Sequence, residues 1–436
     1  MINRLLNWLD ASTCNVMAVE TIKKELNNAG FAELKQTDKW EIKKGGKYYV
    51  TKNGTAIFAF IIGSEPVADQ GFRIISAHSD SPCFKIKPNA EIYGDGGLVT
   101  LNVEKYGGGI LYTWFDRPLS MSGRVVLRSE DPLKPTIVPV DIEKPFATIP
   151  HLAIHFNRAV NEGNALSVQK DMKPVVGRFT KEEIEEIEDF KAKGGIVRKL
   201  VAEHLGINPL DILEYELNLY PVEKSAVLGV HNEFFQSARI DDLSMAYAAL
   251  EALLEVNDDK ATRVMAIFDN EETGSGTKQG AASPVLRDML ERITRLVTPD
   301  YEQQDFFRAL ANSFMISADD AHGWHPNYNE KYDPTNHAIL GGGPAIKINA
   351  NCKYMTDADG SAVFQALCEK AGVPCQYFVN HSDVLGGSTL GNILTGQMDI
   401  RGVDMGNPIW AMHSAREMAS VKDHEYAVKV FAEFYK

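Results

Sequence analysis

Histidine and acidic residues directly follow three separate apolar segments of the chain. They are His78 and Asp80 in IISAHSD, Glu271 and Glu272 in VMAIFDNEE, and Asp319 and Asp320 in FMISADD. Such short apolar runs are typical of buried strands. In an open α/β sheet the active crevice lies outside the carboxyl ends of the strands, so side chains distant in sequence can converge there. We therefore expect these residues to form one site.

Two further candidates lie at predicted helix starts: Asp241 or Asp242 in SARIDDLS, and His413 in WAMHSAREM. Taken singly, either aspartate is explained as a helix cap, and a lone histidine as a surface or core residue. Clustered carboxylates repel one another, however, unless a cation compensates their charge. Two histidines with three carboxylates are a ligand set suited to zinc or a similar divalent ion. The pattern predicts a metal site and leaves open which aspartate binds the metal.

Five ligands exceed the three protein ligands that a catalytic zinc usually takes. If one aspartate bridges, each of two metals receives three contacts, which predicts a two-metal hydrolase with a shared, activated water. Of the adjacent Glu271 and Glu272, one can then bind metal while the other acts as general base. Asp80 follows His78 by two residues on an extended segment, so it is expected to hold the second imidazole nitrogen.

Strand-like and helix-like segments alternate around these motifs, which indicates an α/β sheet. Between them lies a stretch of short β-rich pieces broken by glycine and proline. A chain of 436 residues also exceeds the size at which one hydrophobic core keeps growing. We predict a discontinuous α/β domain of residues 1–88 and 230–436, interrupted by a β-rich insertion of residues 89–229.

The formal net charge of −14 argues against nucleic acid or an anionic membrane as the main partner. Five cysteines with no CxxC pair favour a reducing, cytoplasmic location. The first residues lack the continuous apolar core of a signal peptide, and no segment approaches the roughly 20 apolar residues of a membrane span. The sequence therefore predicts a cytoplasmic protein that binds neither nucleic acid nor membrane.

As a set, seven motifs resemble the aspartyl aminopeptidase family of dinuclear zinc metallopeptidases. They are SAHSDSPC (Ser76–Cys83), IPHLAIHFNR (Ile149–Arg158), ARIDDL (Ala238–Leu243), DNEETGS (Asp269–Ser275), SADDAHGWHPNY (Ser317–Tyr328), GGPAIKIN (Gly342–Asn349) and AMHSAREM (Ala411–Met418). The resemblance implies an α/β/α metallopeptidase sandwich with an inserted β-rich dimerisation domain. It also implies a homo-oligomer, expected to be a dodecamer built from dimers, that acts on peptides.

The resemblance also implies roles for single residues. The ligands it implies for two zinc ions per subunit are His78, Asp241 and Asp319 on one ion, and Asp241, Glu272 and His413 on the other. Glu271 is the implied general base, and Asp80 the residue that orients His78. Lys347 is expected to meet the acidic side chain of the substrate, and His155 to reach the active site of a neighbouring subunit.

The sequence thus predicts a zinc aminopeptidase that removes an N-terminal residue, preferably Asp or Glu, with Co2+ or Mn2+ as alternative metals. Two departures from the family pattern bear on this: Asp242 stands where asparagine is usual, and the stretch NHSDVLGGSTLG differs in detail. An aminopeptidase for neutral residues such as leucine is the alternative within the same chemistry. A non-catalytic assembly protein with a vestigial site is the alternative from another class, and the complete ligand set argues against it.

Overall fold

The computed structural model describes residues 1–189, 195–257 and 260–436. The strands are β1 (Ala32–Glu33), β2 (Lys47–Lys52), β3 (Ala56–Ile61), β4 (Phe72–His78), β5 (Cys83–Tyr93), β6 (Leu98–Tyr106), β7 (Leu119–Leu127), β8 (Thr136–Asp141), β9 (Val175–Arg178), β10 (Ile212–Pro221), β11 (Ala226–Leu228), β12 (Phe234–Ser237), β13 (Thr262–Phe268), β14 (Phe314–Ala318), β15 (Ala321–His322), β16 (Ala345–Ile348), β17 (Gln376–Val379), β18 (Arg401–Gly406), β19 (Pro408–Trp410) and β20 (Glu417–Ser420). The helices are α1 (Ile2–Ala11), α2 (Asn15–Asn28), α3 (Val67–Gln70), α4 (Val168–Asp171), α5 (Lys181–Asp189), α6 (Gly195–Leu205), α7 (Ile240–Glu255), α8 (Val285–Val297), α9 (Gln303–Ala311), α10 (Ala358–Ala371), α11 (Leu390–Thr395) and α12 (Val421–Phe434).

The chain divides into two compact units. The first contains Met1–Asp80, Ser225–Met412 and Glu417–Lys436, and the second contains Ser81–Lys224 and His413–Arg416. The sequence predicted the division after residues 88 and 229, a few residues later in each case. The mixture of sheets and helices confirms the predicted α/β class.

The main sheet of the first unit positions the candidate residues. Within the described residues it has nine strands in the order β1-β2-β3-β13-β4-β14-β18-β16-β17. Strand β4 lies between β13 and β14, and all three run parallel. Phe268 at the end of β13 pairs with His78, and Ser317 of β14 pairs with Ser76. The carboxyl ends of the three strands therefore meet at one edge of the sheet.

Helices cover both faces of this sheet, because residues along its central strands alternate between two cores. On β4, Ile75 and Ala77 pack into the core that contains α1, α2, α7 and α12. Phe72 and Ile74 pack into the opposite core, which contains α8 and α9. A strand that is apolar on both faces must be covered on both faces. Helix α7 is buried along almost its whole length, which matches its alanine- and leucine-rich sequence.

The second unit contains an antiparallel sheet of the order β8-β7-β10-β5-β6-β9. Its core includes Met121, Val125, Leu217 and Leu219 from the paired strands β7 and β10. A smaller sheet, β11-β12-β20-β19-β15, belongs to the first unit. In the part of the chain that is described, every helix is too short or too polar to cross a membrane.

Candidate metal centre

Four buried residues of the first unit gather at the sheet edge described above. They are His78, Asp241, Asp242 and Asp319, and one potential ligand atom from each lies within 4.8 Å of the others. His78 ends β4, Asp319 directly follows β14, and the two aspartates lie at the start of α7. The same imidazole forms a second group with Glu271 and Glu272, again within 4.8 Å.

The contacts of His78 determine which ring nitrogen is available for a metal. Its Nδ1 lies 3.0 Å from the carbonyl oxygen of Asp80, so the neutral ring donates its proton there. Nε2 then carries the lone pair, and it lies 3.4 Å from Oδ1 of Asp241. A hydrogen bond that fixes the far nitrogen is the usual arrangement for a metal-binding histidine.

Asp80 holds the two glutamates more directly than it holds the imidazole. Its Oδ1 accepts a hydrogen bond from the backbone N–H of Glu271 at 3.1 Å, and its Oδ2 accepts one from Glu272 at 3.2 Å. The same Oδ1 is 3.4 Å from Nδ1 of His78, farther than the carbonyl oxygen of Asp80. The predicted orienting contact to His78 is therefore made mainly by the backbone of Asp80, while its carboxylate anchors the turn after β13.

The two aspartates at the start of α7 have different surroundings. Both residues are non-helical, and the peptide bond between them is cis. Oδ2 of Asp242 accepts a hydrogen bond from the backbone N–H of His78 at 3.0 Å. The N–H of Asp241 donates to Oε2 of Glu417 at 3.1 Å, and its own Oδ1 faces Nε2 of His78. Asp242 thus fastens α7 to β4, and Asp241 directs a carboxylate oxygen to Nε2 of the imidazole.

The cluster carries an excess of buried negative charge. Burial raises the pKa of Glu271 to about 8, and the carboxylates of Asp319, Asp80 and Asp241 add to the increase, although His78 opposes it. Burial also raises the pKa of Asp242 well above its usual range. For His78 burial alone would lower the pKa, but the neighbouring carboxylates together raise it well above normal. The two raised carboxyl pKa values mean that burial and mutual repulsion disfavour the ionised carboxylates, whereas the raised pKa of His78 means that the carboxylates favour its charged form. A bound cation would stabilise the ionised carboxylates and replace the extra proton on His78.

Lys347 is buried on β16 rather than exposed. The residue is 4% exposed, and its Nζ lies 3.1 Å from Oδ1 of Asp319. Nζ also lies 5.8 Å from the ring centre of Tyr354. Burial by itself would lower the pKa of Lys347, but Asp319, Tyr354 and Asp404 raise it, so the side chain is an ammonium ion. One of the predicted metal ligands therefore already has a cationic partner.

His413 and His155 belong to the second unit, so they are described apart from the cluster. His413 has a left-handed backbone conformation, with φ of 68°, and its Nδ1 lies 3.2 Å from the carbonyl oxygen of Gly108. His155 is exposed within the 3-10 turn Ile154–Phe156. The nearby His151 stacks on Phe115 with 3.9 Å between ring centres.

Asp404 is a buried contributor that the sequence did not single out. Its Oδ1 accepts a hydrogen bond from Oγ1 of Thr389 at 2.6 Å, and its Oδ2 accepts one from the N–H of Met355 at 2.6 Å. It also raises the pKa of Lys347. Asp404 lies inside β18, a strand parallel to its neighbour β14, whereas the other acids follow the ends of their strands, so the strand-end pattern did not include it.

The donor atoms of the first unit fit zinc. They comprise one imidazole nitrogen with its tautomer fixed and several carboxylates in a buried cluster, and zinc binds nitrogen and oxygen donors of these types. Lys347 is paired with Asp319 alone among the potential ligands of the described cluster, so a net negative charge remains. A divalent ion would neutralise that charge and could activate water for hydrolysis.

Comparison with known sequences agrees with this chemistry. A family model described as the aminopeptidase I zinc metalloprotease family (M18) matches residues 8–435. The chain is 49% identical over 433 residues to a probable M18 family aminopeptidase 2 of Clostridium novyi, covering 99% of this chain and 98% of that protein. It is 40% identical over 435 residues to the protein of the same name in Ectopseudomonas mendocina, covering 100% of this chain and 98% of that one.

Solved structures are similar over almost the full length. A chain in a structure of the Ape4 and Nbr1 complex superposes with a TM-score of 0.95 and 36% identity, covering 99% of this chain and 85% of that one. The mApe1 dodecamer of S. cerevisiae superposes with a TM-score of 0.86 and 26% identity, covering 99% of this chain and 95% of that one.

Proposed function

Because the chain belongs to the aminopeptidase I (M18) family of zinc metalloproteases, we propose that it removes the N-terminal residue, preferably Asp or Glu, from peptides. The observation that carries this proposal is the buried convergence of His78, Asp241 and Asp319 with the Glu271–Glu272 pair at the end of three parallel strands. Two zinc ions per subunit are proposed, and Co2+ or Mn2+ are alternatives with the same ligand preferences.

The proposed ligands are those that the family resemblance implies. Asp241 is preferred over Asp242 as the bridging carboxylate, since Asp242 already accepts the backbone N–H of His78. Glu272 is proposed as a ligand of the second ion. His413 is proposed as its other ligand on the resemblance alone. When bound, the two ions would polarise the scissile carbonyl and lower the pKa of the attacking water.

Glu271 is the proposed general base. It would take a proton from the attacking water and pass it to the amine of the departing peptide. Two contacts support its placement. Its backbone N–H donates to Oδ1 of Asp80, and the backbone N–H of its neighbour Glu272 donates to Oδ2 of the same carboxylate. One buried carboxylate would therefore position both the base and a ligand.

The acidic preference is proposed on Lys347, the cation buried beside the cluster. A lysine that ion-pairs with the substrate carboxylate could favour acidic residues roughly ten- to a hundredfold in kcat/KM. The neutral aminopeptidase remains a second candidate for one specific reason. The ammonium already lies 3.1 Å from Asp319, so it would have to serve that carboxylate and the substrate together.

We also propose an oligomeric state and a cellular location. A homo-oligomer built from dimers, expected to be a dodecamer, is supported by the similarity to the mApe1 dodecamer. His155 is proposed to reach the active site of a neighbouring subunit, and it lies among the exposed apolar side chains of Leu152, Ile154 and Phe156. A cytoplasmic location is supported by cysteines that are all free thiols in the described residues.

The decisive test is a panel of aminoacyl-4-nitroanilides with the purified, zinc-loaded protein. We expect chelator-sensitive hydrolysis that is fastest for Asp and Glu. Lys347→Met should depress hydrolysis of those two substrates while sparing Leu, and Lys347→Arg, which keeps the charge, should lose less of the preference. A wild type that prefers Leu, or equal losses on all substrates in Lys347→Met, would support the neutral aminopeptidase instead.

A further inference from the structure

A cavity of about 440 Å³ lies within the first unit. Its lining residues are His322, His325, Tyr328, Lys331, Tyr332, Phe378, Val379, Asn380, His381 and Val384. None of them is acidic, although the chain as a whole has a net charge of −14. Seven of the ten carry a nitrogen or hydroxyl group that can donate a hydrogen bond. The cavity, which we call the histidine pocket, is therefore suited to an anion.

Backbone contacts fix the donor nitrogen of two of these rings. The N–H of Asn327 donates to Nδ1 of His325 at 3.2 Å, and the N–H of Asp383 donates to Nδ1 of His381 at 3.2 Å. Each Nδ1 is thus an acceptor, so each neutral ring carries its proton on Nε2. Both rings offer a donor even without a positive charge. The carboxylate of Asp383 lies 4.0 Å from Nδ1 of His381, but it is 93% exposed and is not part of the lining.

The remaining wall of the histidine pocket is apolar. Phe378 and Val379 come from β17, and Val384 follows in the next loop. The rings of His322 and Phe378 meet edge to face with 5.8 Å between their centres. A cavity of this size, with apolar walls and a few donors, is typical of a site for a small organic ligand. The suitable ligand therefore combines a carboxylate with an apolar body.

The chain itself places one lining residue of the histidine pocket, His322, near the candidate metal centre. His322 follows Asp319 by three residues, so their Cα atoms are at most about 11 Å apart. An extended peptide of three residues spans about the same length. A tripeptide or tetrapeptide whose first bond lies at the candidate metal centre is thus long enough for its far end to reach the part of the pocket that His322 lines.

We propose that the histidine pocket binds a carboxylate of the substrate on the C-terminal side of the scissile bond, so that the enzyme favours short peptides. The inference rests on the proposed aminopeptidase function. The carboxylate is either the C-terminus of a tri- or tetrapeptide or an acidic side chain at the same distance. Lys331 and the Nε2–H groups of His325 and His381 are its binding partners, and Phe378 packs against the neighbouring apolar side chain.

The test compares a tripeptide that has a free C-terminus with the same tripeptide amide. For the wild type we expect kcat/KM to be about tenfold higher for the free acid. In the double variant Lys331→Met, His381→Phe this ratio should fall towards one, while hydrolysis of the matching aminoacyl-4-nitroanilide, which has no carboxylate, stays unchanged. Lys429→Met, which changes an exposed lysine on α12, is the matched control and should retain the wild-type ratio.

Two further measurements are needed. One distinguishes a C-terminal from a side-chain carboxylate, and the other distinguishes failure of the histidine pocket from failure of the proposed aminopeptidase function. An amidated tripeptide with glutamate at its third position should recover the lost rate only if a side-chain carboxylate can enter the pocket. Calorimetry with an N-acetylated dipeptide acid and its amide reports binding without turnover, so it tests the pocket even if nitroanilide hydrolysis, and with it the proposed function, is absent. Equal rates for acid and amide in the wild type, or the same ratio in the double variant, would overturn the inference.

Discussion

Replacing Asp80 by asparagine would test how the candidate metal centre is held together. The carboxylate is 2% exposed and accepts one backbone N–H from Glu271 and one from Glu272. Asparagine has nearly the same shape but only one acceptor oxygen, and its other terminal group is a donor. Whichever way the amide turns, one of the two backbone N–H groups faces a donor.

The expected magnitude follows from these contacts. A hydrogen bond to a charged group contributes about 1.5–3 kcal/mol, and leaving a buried donor unsatisfied costs about 1–3 kcal/mol. The turn that carries Glu271 and Glu272 should therefore be destabilised by about 2–5 kcal/mol. Loss of a residue that orients a metal ligand typically weakens metal binding 10- to 100-fold. If about half of the penalty appears in the transition state, kcat falls by about 5- to 70-fold.

Zinc affinity and kcat should be measured separately for Asp80→Asn. Competition with a chelator gives the affinity, and kcat is then taken at saturating zinc. We expect excess zinc to restore occupancy but not kcat, because displacement of Glu271 does not depend on the metal. Asp288→Asn, a change on the exposed surface of α8, serves as the control. Wild-type zinc affinity together with wild-type kcat in Asp80→Asn would refute this account of the site.

Three other predictions concern the base, the assembly and stability. Glu271→Gln should retain both zinc ions and lower kcat by about 10²- to 10⁴-fold, whereas Glu272→Gln should lose metal; zinc stoichiometry distinguishes them, and the opposite pattern would reverse their roles. Phe156 is 81% exposed, so Phe156→Glu should give smaller, folded, zinc-loaded and poorly active particles, and a fully active small species in sedimentation would contradict this. Burial raises the pKa of Asp423 to about 6, so between pH 4 and 6 the folded state binds a proton that the unfolded state has released. The free energy of unfolding should therefore fall by about 1–3 kcal/mol as the pH rises from 4 to 6. Asp423→Asn should lack that decline in denaturant unfolding, and an unchanged pH profile would exclude the effect.

Much of the fold could be predicted from local pattern. The buried strands that end at His78, before Glu271 and before Asp319 were expected because short apolar runs with acidic exits are visible in the sequence itself. The α/β class followed from the alternation of strands and helices. The general rule that ligands lie outside the carboxyl ends of parallel strands predicts that the residues after those strands lie together.

The group that each polar side chain contacts could not be predicted from local pattern. Adjacent aspartates look equivalent in sequence, yet Asp242 binds the backbone of β4 while Asp241 faces the imidazole. Asp80 was expected to hold His78, but its carboxylate mainly anchors the two glutamates 191 and 192 residues away. Lys347 was expected to contact the acidic side chain of the substrate, but in the folded chain its ammonium group pairs with Asp319.

The sequence by itself therefore determined which residue types stand at the strand ends, because side-chain periodicity and strand propensity act over a few neighbouring residues. Only the tertiary structure decided the strand order β13-β4-β14 and the hydrogen bonds that it permits. The strand order and these hydrogen bonds depend on how segments distant in sequence pack together. The energy of each hydrogen bond also depends on its burial, which exists only in the folded chain. The residues that gather at this sheet edge were thus predictable as a set, whereas the contacts of each carboxylate depended on its neighbours in the folded protein.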